Sequence, residues 1–177
     1  YPRYFKNYEQ LLAAAKMLED QQIKNFEIWV TIKGNENSYA RKLKKQYENL
    51  KSVVWLGLRP REEVFKLYDQ ADCLVFPSLI ETWGLPISEF KPSGKPMLLA
   101  DLPYTHEALG EYTECCFFDV NDTVNLFGLM KNMLEGTLSY DGNPEHQYHL
   151  PYFPSWSKLL NDYILETDFK GADKHYN

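Results

Sequence analysis

No Gly-x-Gly and no Gly-x-x-x-x-Gly-Lys-Ser/Thr occurs anywhere in the 177 residues, which excludes a fingerprint dinucleotide dehydrogenase and a P-loop nucleotidase. Long apolar runs are missing too: none approaches the roughly 18 to 20 residues needed to cross a bilayer. Cysteine is scarce. Cys73, Cys115 and Cys116 form neither a CxxC pair nor an even disulfide framework, which fits a reducing compartment, with the cytoplasm as the default. Basic charge is in deficit, 19 Lys and Arg against 25 Asp and Glu, giving a net −6. A general binder of the nucleic-acid backbone presents the opposite balance, although a few local cations suffice for a small anionic ligand. Internal repeats and low-complexity tracts are also lacking.

What is present is an ordinary globular composition at the length of one domain. Asn7 stands ready to cap a helix carrying Tyr8, Leu11, Leu12, Ala15 and Leu18 at three- and four-residue steps. Phe26 to Ile32 reads as a strand, followed by a helix with Tyr39, Leu43, Tyr47 and Leu50 on one face. Val53 to Leu56 is a short strand, and Pro60 suits the first position of the next helix. The run Cys73 to Phe76 lacks polar alternation, as a central parallel strand covered on both faces would. A helix start at Pro86, strands at Pro96 to Ala100 and Cys115 to Phe118, and a helix capped by Asp122 or Thr123 and closed by Gly136 complete the series.

Alternating strands and helices imply an α/β, doubly wound, mainly parallel Rossmann-like sheet with its ligand site at the carboxyl ends of the strands. Such a half-fold opens with a strand, so a first strand is expected upstream of Tyr1. The expected division is a Rossmann-like ligand-binding domain over residues 1–136, then a connecting segment and C-terminal helix over 137–177 packing on it. Within the latter, Thr137 to Pro154 has no period, Trp156 to Leu165 is helical, and the tail from Asp168 is frayed.

The stretch from Pro77 to Pro96 is the most informative. It leaves a buried strand and opens a helix, where the amides of Gly84, Leu85 and Ile87 favour an anion. Gly84 allows close approach to the backbone, and Pro86 fixes where the helix begins. Glu81 in the loop and Glu89 in the first helical turn stand on either side. Each can accept from vicinal hydroxyls, one holding a ribose and the other a hexose, with phosphates between. The alternative is a solvated Glu81 and a Glu89 that complements the helix dipole.

Glu81 and Glu89, seven residues apart in Pro-Ser-Leu-Ile-Glu-Thr-Trp-Gly-Leu-Pro-Ile-Ser-Glu and followed by Gly94-Lys95-Pro96, resemble the motif of the retaining glycosyltransferases of family 4, also called group 1, with the GT-B fold. Ala71-Asp72, Trp55-Leu56-Gly57, Ala100-Asp101-Leu102-Pro103 and Phe118-Asp119 extend the resemblance over most of Pro2 to Glu135. It implies the donor-binding half of an enzyme that moves a sugar from a UDP- or GDP-linked donor to a glycan or lipid-linked acceptor, in cell-surface polysaccharide or glycolipid assembly. By the same resemblance Glu89 holds the ribose, Glu81 faces the sugar ring, and Gly84 and Leu85 offer amides. Lys6 and Arg3 neutralise the leaving diphosphate, Gly57 and Leu58 border the base, and Trp83 sits in the donor loop. No metal cofactor is expected, the acceptor belongs to another domain, and the isolated chain is expected to be inactive. The implied location is cytoplasmic, or peripheral to the inner face of the membrane in a full-length protein. Thr82, where many members carry Gly, and Phe90-Lys91-Pro92-Ser93, in place of a small-residue helical run, depart from the pattern.

Two other readings use the same residues: a nucleotide-sugar epimerase-like half-fold, disfavoured by the glutamate spacing, and a non-catalytic sugar-nucleotide-binding or interaction domain. His146 and His149 beside Glu145 raise a metal site, but Asn143-Pro144 places them in a loop. Glu107 beside His106 is a candidate for shaping the sugar pocket, or a plain turn cap. Lys42, Lys44 and Lys45 read as a solvated helix face.

Overall fold

The computed structural model describes residues 2–143, together with Ser157 and Leu160. The chain divides into two compact units, Tyr1–His146 and Gln147–Asn177, and every element below belongs to the first. The expected final helix at Trp156 to Leu165, the tail from Asp168, and the Glu145, His146 and His149 cluster lie outside the described residues, apart from Ser157 and Leu160.

After a 3-10 turn at Tyr4–Lys6, the order is α1 (Tyr8–Asp20), β1 (Ile28–Val30), α2 (Ser38–Tyr47), β2 (Val53–Trp55), α3 (Arg61–Gln70) and β3 (Leu74–Phe76). There follow α4 (Leu85–Phe90) with a 3-10 extension at Lys91–Ser93, β4 (Met97–Ala100), α5 (Pro103–Leu109), β5 (Cys115–Phe118) and α6 (Thr123–Glu135). All the pairings are parallel, as an α/β fold with crossover helices requires.

Period-two alternation sorts the strand side chains onto two apolar layers. Leu98 and Ala100 of β4, with Cys116 and Phe118 of β5, pack under α1, α2 and α6 against Leu12, Leu18, Leu43 and Leu126. Met97 and Leu99, with Phe76 and Cys115, turn the other way onto Ile87 and Phe90 of α4 and Leu109 of α5. Every residue of β4 is buried, so this strand is the spine of both layers. Burying each of its large side chains stabilises by roughly 1.5–3 kcal/mol.

The local chemistry differs from expectation in instructive places. Asn7 precedes α1 but does not cap it by its side chain, because its backbone is left-handed at φ 52°. Its amide instead donates to Gln10 Oε1 at 2.8 Å, and Gln10 reaches on to the Asp119 carbonyl at 2.7 Å, tying α1 to the exit of β5. Pro60 is the residue before α3 rather than its first, and α2 has a true cap in Asn37, which accepts from Ala40 N at 2.8 Å. β1 is shorter than Phe26 to Ile32 and pairs, among the described residues, with β2 alone, although Gly57 N still donates to Ile32 O at 3.2 Å.

The expected single sheet is in two pieces: β1 pairs with β2, and β3, β4 and β5 run in that order. Among the described residues β3 is therefore paired on one side only, and it faces β1 across a cavity that residues of both strands line. Beyond α6, residues 137–143 return along β5: Asp141 N donates to Cys115 O at 2.9 Å and Phe117 N to Asp141 Oδ2 at 2.9 Å. Asn143 continues this seam, donating to the carbonyls of His106 and Gly110.

Two outcomes test these local accounts. Asp122 accepts from Val124 N and Asn125 N at 2.8 and 3.0 Å. Asp122→Ala is expected to lower unfolding free energy by about 1 kcal/mol in a urea titration. Burial opposes ionisation of Glu19, but hydrogen bonds from the Ser52 amide and hydroxyl outweigh it and hold its carboxyl below the ordinary 4.5. A depressed folded value contributes stability above the unfolded pKa and loses it as pH falls through the folded one. Between neutral pH and about pH 3, Glu19→Gln should therefore show a smaller acid-induced drop in melting temperature than the parent.

Candidate functional site

Parallel strands place all their carboxyl ends at one border of the sheet, and there the 3-10 turn and the loops after β2 and β3 converge. Lys6, Glu81, Thr82, Trp83, Gly84, Leu85 and Glu89 all line one cavity of about 1390 Å³, whose walls continue down between β1 and β3. The two glutamates read from the sequence thus share a groove with the cation read beside them.

The turn that carries Lys6 is fastened to the exit of β3. The Phe5 carbonyl accepts from Leu79 N at 2.6 Å, and the Ser78 hydroxyl lies 3.2 Å from the same oxygen. Ser78 is 1% exposed and donates to Glu81 Oε1 at 2.9 Å, and Lys6 Nζ forms an ion pair with that same carboxylate oxygen. Cation and carboxylate therefore neutralise each other in a half-buried setting. A bound anion would have to compete for Lys6, releasing Glu81 toward a neutral, hydroxyl-bearing part of the ligand.

Tyr104 on α5 supports this loop, donating its hydroxyl to Ser78 O at 2.5 Å. Burial, and then the Glu81 charge, push the Tyr104 hydroxyl above the ordinary phenol range, so it serves as a donor throughout the neutral range. Gly84 has a left-handed backbone at φ 58°, and a Cβ there would meet Ala108 Cβ at 3.0 Å. A side chain at this position is thus opposed by both conformation and space.

Glu89 is the fifth residue of α4, which begins at Leu85, so it lies in the second turn rather than the first and does not complement the helix start. Its carboxylate is instead held by Arg61 Nη2 at 2.9 Å, from the start of α3, with the Tyr68 hydroxyl at 3.5 Å. Burial, and then the Glu89 charge, push Tyr68 up to about 12. The expected set of helix-start amides also shrinks. Ile87 N is taken by Gly84 O at 2.9 Å, leaving Gly84 and Leu85 ahead of the first intrahelical bond.

Several expected residues are not brought to the cavity. Arg3 is exposed at the outer end of the turn and is not among the lining residues. Gly57 continues the β1–β2 ladder through its N–H, which leaves Leu58 85% exposed and both residues outside the lining. Glu107 is likewise outside it. Its neighbour His106 is structural: the ring bridges Asn143 Oδ1 and Asp101 Oδ1, each at 2.8 Å, and stacks on Phe117 at 4.0 Å. Lys44, read as solvated, folds over the Trp55 ring at 4.3 Å.

Arg61, Tyr68, Ser78 and Tyr104 are the contributors that sequence reasoning passed over. Only Ser78 sat inside the motif. The others come from α3 and α5, where nothing in local pattern separates a residue facing the loop from one facing solvent. Among the described residues, no helix is long and apolar enough to cross a membrane, and no three His, Cys, Asp or Glu are grouped to hold a metal.

The chain resembles known proteins in both sequence and shape. It is 32% identical over 95 residues to the O-antigen chain mannosyltransferase RfbU of Salmonella typhimurium, a match covering 49% of this chain and 27% of that protein. To the serotype-specific mannosyltransferase WbdA of Escherichia coli it is 29% identical over 109 residues, or 60% of this chain and 13% of that one. The chain therefore spans well under a third of either relative. Sucrose-phosphate synthase from Thermosynechococcus elongatus has the same fold, with a TM-score of 0.62 at 20% identity over 76% of this chain and 34% of that structure. The family described as glycosyl transferases group 1 matches residues 2–141, nearly the whole of the first compact unit, and the chain belongs to that family.

Proposed function

We propose that this chain seats the nucleotide-sugar donor of a retaining glycosyltransferase, and that the donor is a nucleoside-diphosphate mannose. The observation that carries the reading is the meeting of Lys6, Glu81 and Glu89 on one cavity at the carboxyl ends of the strands. Both curated relatives act as mannosyltransferases, which supports the choice of sugar. Glu89, braced by Arg61, accepts from the ribose hydroxyls. Lys6 leaves Glu81 for the diphosphate, and Glu81 then faces the mannosyl ring. The Gly84 and Leu85 amides, at the amino end of α4, add their partial positive charge to that of Lys6.

As the glycosidic bond to the diphosphate breaks, negative charge grows on the leaving oxygens. A fixed ammonium and oriented amides stabilise that charge without reorganisation, in the role a metal ion plays elsewhere. No residue of the site is assigned as a base. Arg3, exposed outside the lining, is given no part in the diphosphate contact, and Trp83, 77% exposed, borders the open side of the donor loop. The acceptor glycan or lipid-linked glycan is held by a further domain, and the reaction takes place in the cytoplasm, in keeping with three free cysteines.

Calorimetric titration with GDP-mannose and a series of UDP-sugars tests donor and nucleotide together. The mannose donor is expected to bind in preference to the others, and Lys6→Ala and Glu89→Ala are each expected to weaken it more than tenfold, about 1.4 kcal/mol or more. Binding of none of them, or equal binding by both variants, removes the proposal. A non-catalytic module would bind donor but support no transfer when joined to an acceptor domain. At Gly84, the left-handed backbone makes Gly84→Ala cost roughly 1–2 kcal/mol of stability by chemical denaturation, with donor affinity falling as the loop shifts.

A further inference from the structure

The segment from Ser78 to Gly84 carries Glu81 between β3 and α4 with no helix or strand of its own. A carboxylate on such a segment keeps its direction only if neighbouring side chains hold the backbone in place. Tyr104 does this from behind. Its ring packs edge-on against Phe76, the last residue of β3, with centroids 6.4 Å apart. Its hydroxyl donates to the Ser78 carbonyl at 2.5 Å, where the segment begins. At the far end, a Cβ built on Gly84 would lie 3.7 Å from Tyr104 Cδ2 and 3.0 Å from the Cβ of Ala108. Ala108 is one turn along α5 from Tyr104, so a single face of that helix backs both ends of the segment.

The helix is anchored in its turn. Thr105, beside Tyr104, is fully buried, and its hydroxyl lies 2.6 Å from the carbonyl of Ala100, the last residue of β4. Further along, the Asn143 amide donates to the carbonyls of His106 and Gly110. Tyr104 therefore ties an irregular loop to the wholly buried strand of the sheet.

Tyr104 is not among the residues that line the cavity, so its effect on a ligand passes through the loop. The phenol and the carboxylate are close enough to feel each other: after burial, the Glu81 charge raises the Tyr104 hydroxyl above the ordinary phenol range. The other two charged groups of the site have separate fastenings. Lys6 is delivered by the Phe5 carbonyl, which accepts from Leu79 N, and Glu89 is held by Arg61 from α3. Neither bond involves the phenol.

We infer that Tyr104 is the positioning residue for Glu81, and that through it α5 sets affinity for the sugar of the donor rather than for its nucleotide. The inference rests on the nucleotide-sugar reading above, in which Glu81 faces the mannosyl ring while Lys6 and Glu89 hold the diphosphate and ribose.

Calorimetry with GDP-mannose and with GDP on the 177-residue chain gives the preference for the sugar-bearing ligand. The parent, Tyr104→Phe, Glu81→Ala and the double variant are compared. Both ligands are titrated into the same preparation, so any loss of folded protein affects them alike and leaves the preference unmoved. Tyr104→Phe is expected to reduce the preference by about threefold or more while GDP affinity stays within about twofold of the parent's. Glu81→Ala should reduce it as well, and the double variant should lose no more than Glu81→Ala alone, because the phenol acts only through that carboxylate. An unchanged preference in Tyr104→Phe overturns the inference. So does an equal loss for both ligands, or losses that add in the double variant, since each leaves Tyr104 a packing residue. Should Tyr104→Phe not fold, Ala108→Val crowds Gly84 from the same helix face with the phenol intact; a lowered preference is expected there, and an unchanged one counts against the inference. Failure of the nucleotide-sugar reading looks different: the parent binds neither ligand, or Glu81→Ala leaves the preference unmoved, and the inference falls with it.

Discussion

The carbonyl of Phe5 holds two distant parts of the chain together. By accepting from Leu79 N, beside the Ser78 hydroxyl, it fixes the amino-terminal turn to the exit of β3. Everything at the cavity mouth follows from that junction. Lys6 is adjacent in sequence and so is delivered to Glu81, while the hydroxyl of Ser78 orients the same carboxylate from below. Tyr104 then holds the Ser78 carbonyl, so α5 is recruited to a site that no residue of α5 enters as a charge. Hydrogen bonds between segments far apart in sequence thus bring residue 6 and residue 81 into contact.

The two carboxylates are restrained by different means, which suits different tasks. Glu81 sits in an irregular loop and is paired with a cation that can exchange partners. Glu89 rides on a helix, with its carboxylate bonded to a guanidinium from another helix. A group on a regular element with a planar partner keeps its direction whether or not a ligand is present. In the group 1 family setting, that makes Glu89 the fixed point of the groove and the Lys6–Glu81 pair its adjustable side.

The strands and helices were largely legible in the sequence because their signals are periodic. The buried run at Met97–Ala100, the helix closed by Gly136 and the cap at Asp122 all read from local pattern. Glu81, Glu89 and Lys6 were legible through a motif and its resemblance. What did not read through was orientation. The single-residue shift that starts α4 at Leu85 carries Glu89 past the end of the first turn, and the extended ladder at Gly57 throws Leu58 to solvent. Arg61 and Tyr68 were invisible because their importance depends on where α3 crosses α4, a tertiary fact with no local trace. The division of the sheet into two pieces was likewise beyond pattern, since Cys73 to Phe76 reads the same whether it has one strand neighbour or two.

The seam formed by residues 137–143 has a consequence for how the molecule meets others. On the outer border of β5, Cys115 O and Phe117 N are satisfied by Asp141, so this rim offers no matching row of donors and acceptors to a stranger's strand. A sheet finished in this manner resists lateral stacking into fibres. A carboxylate tether at the rim therefore works as a hem, keeping a chain rich in short apolar strands from fraying into aggregates along that side.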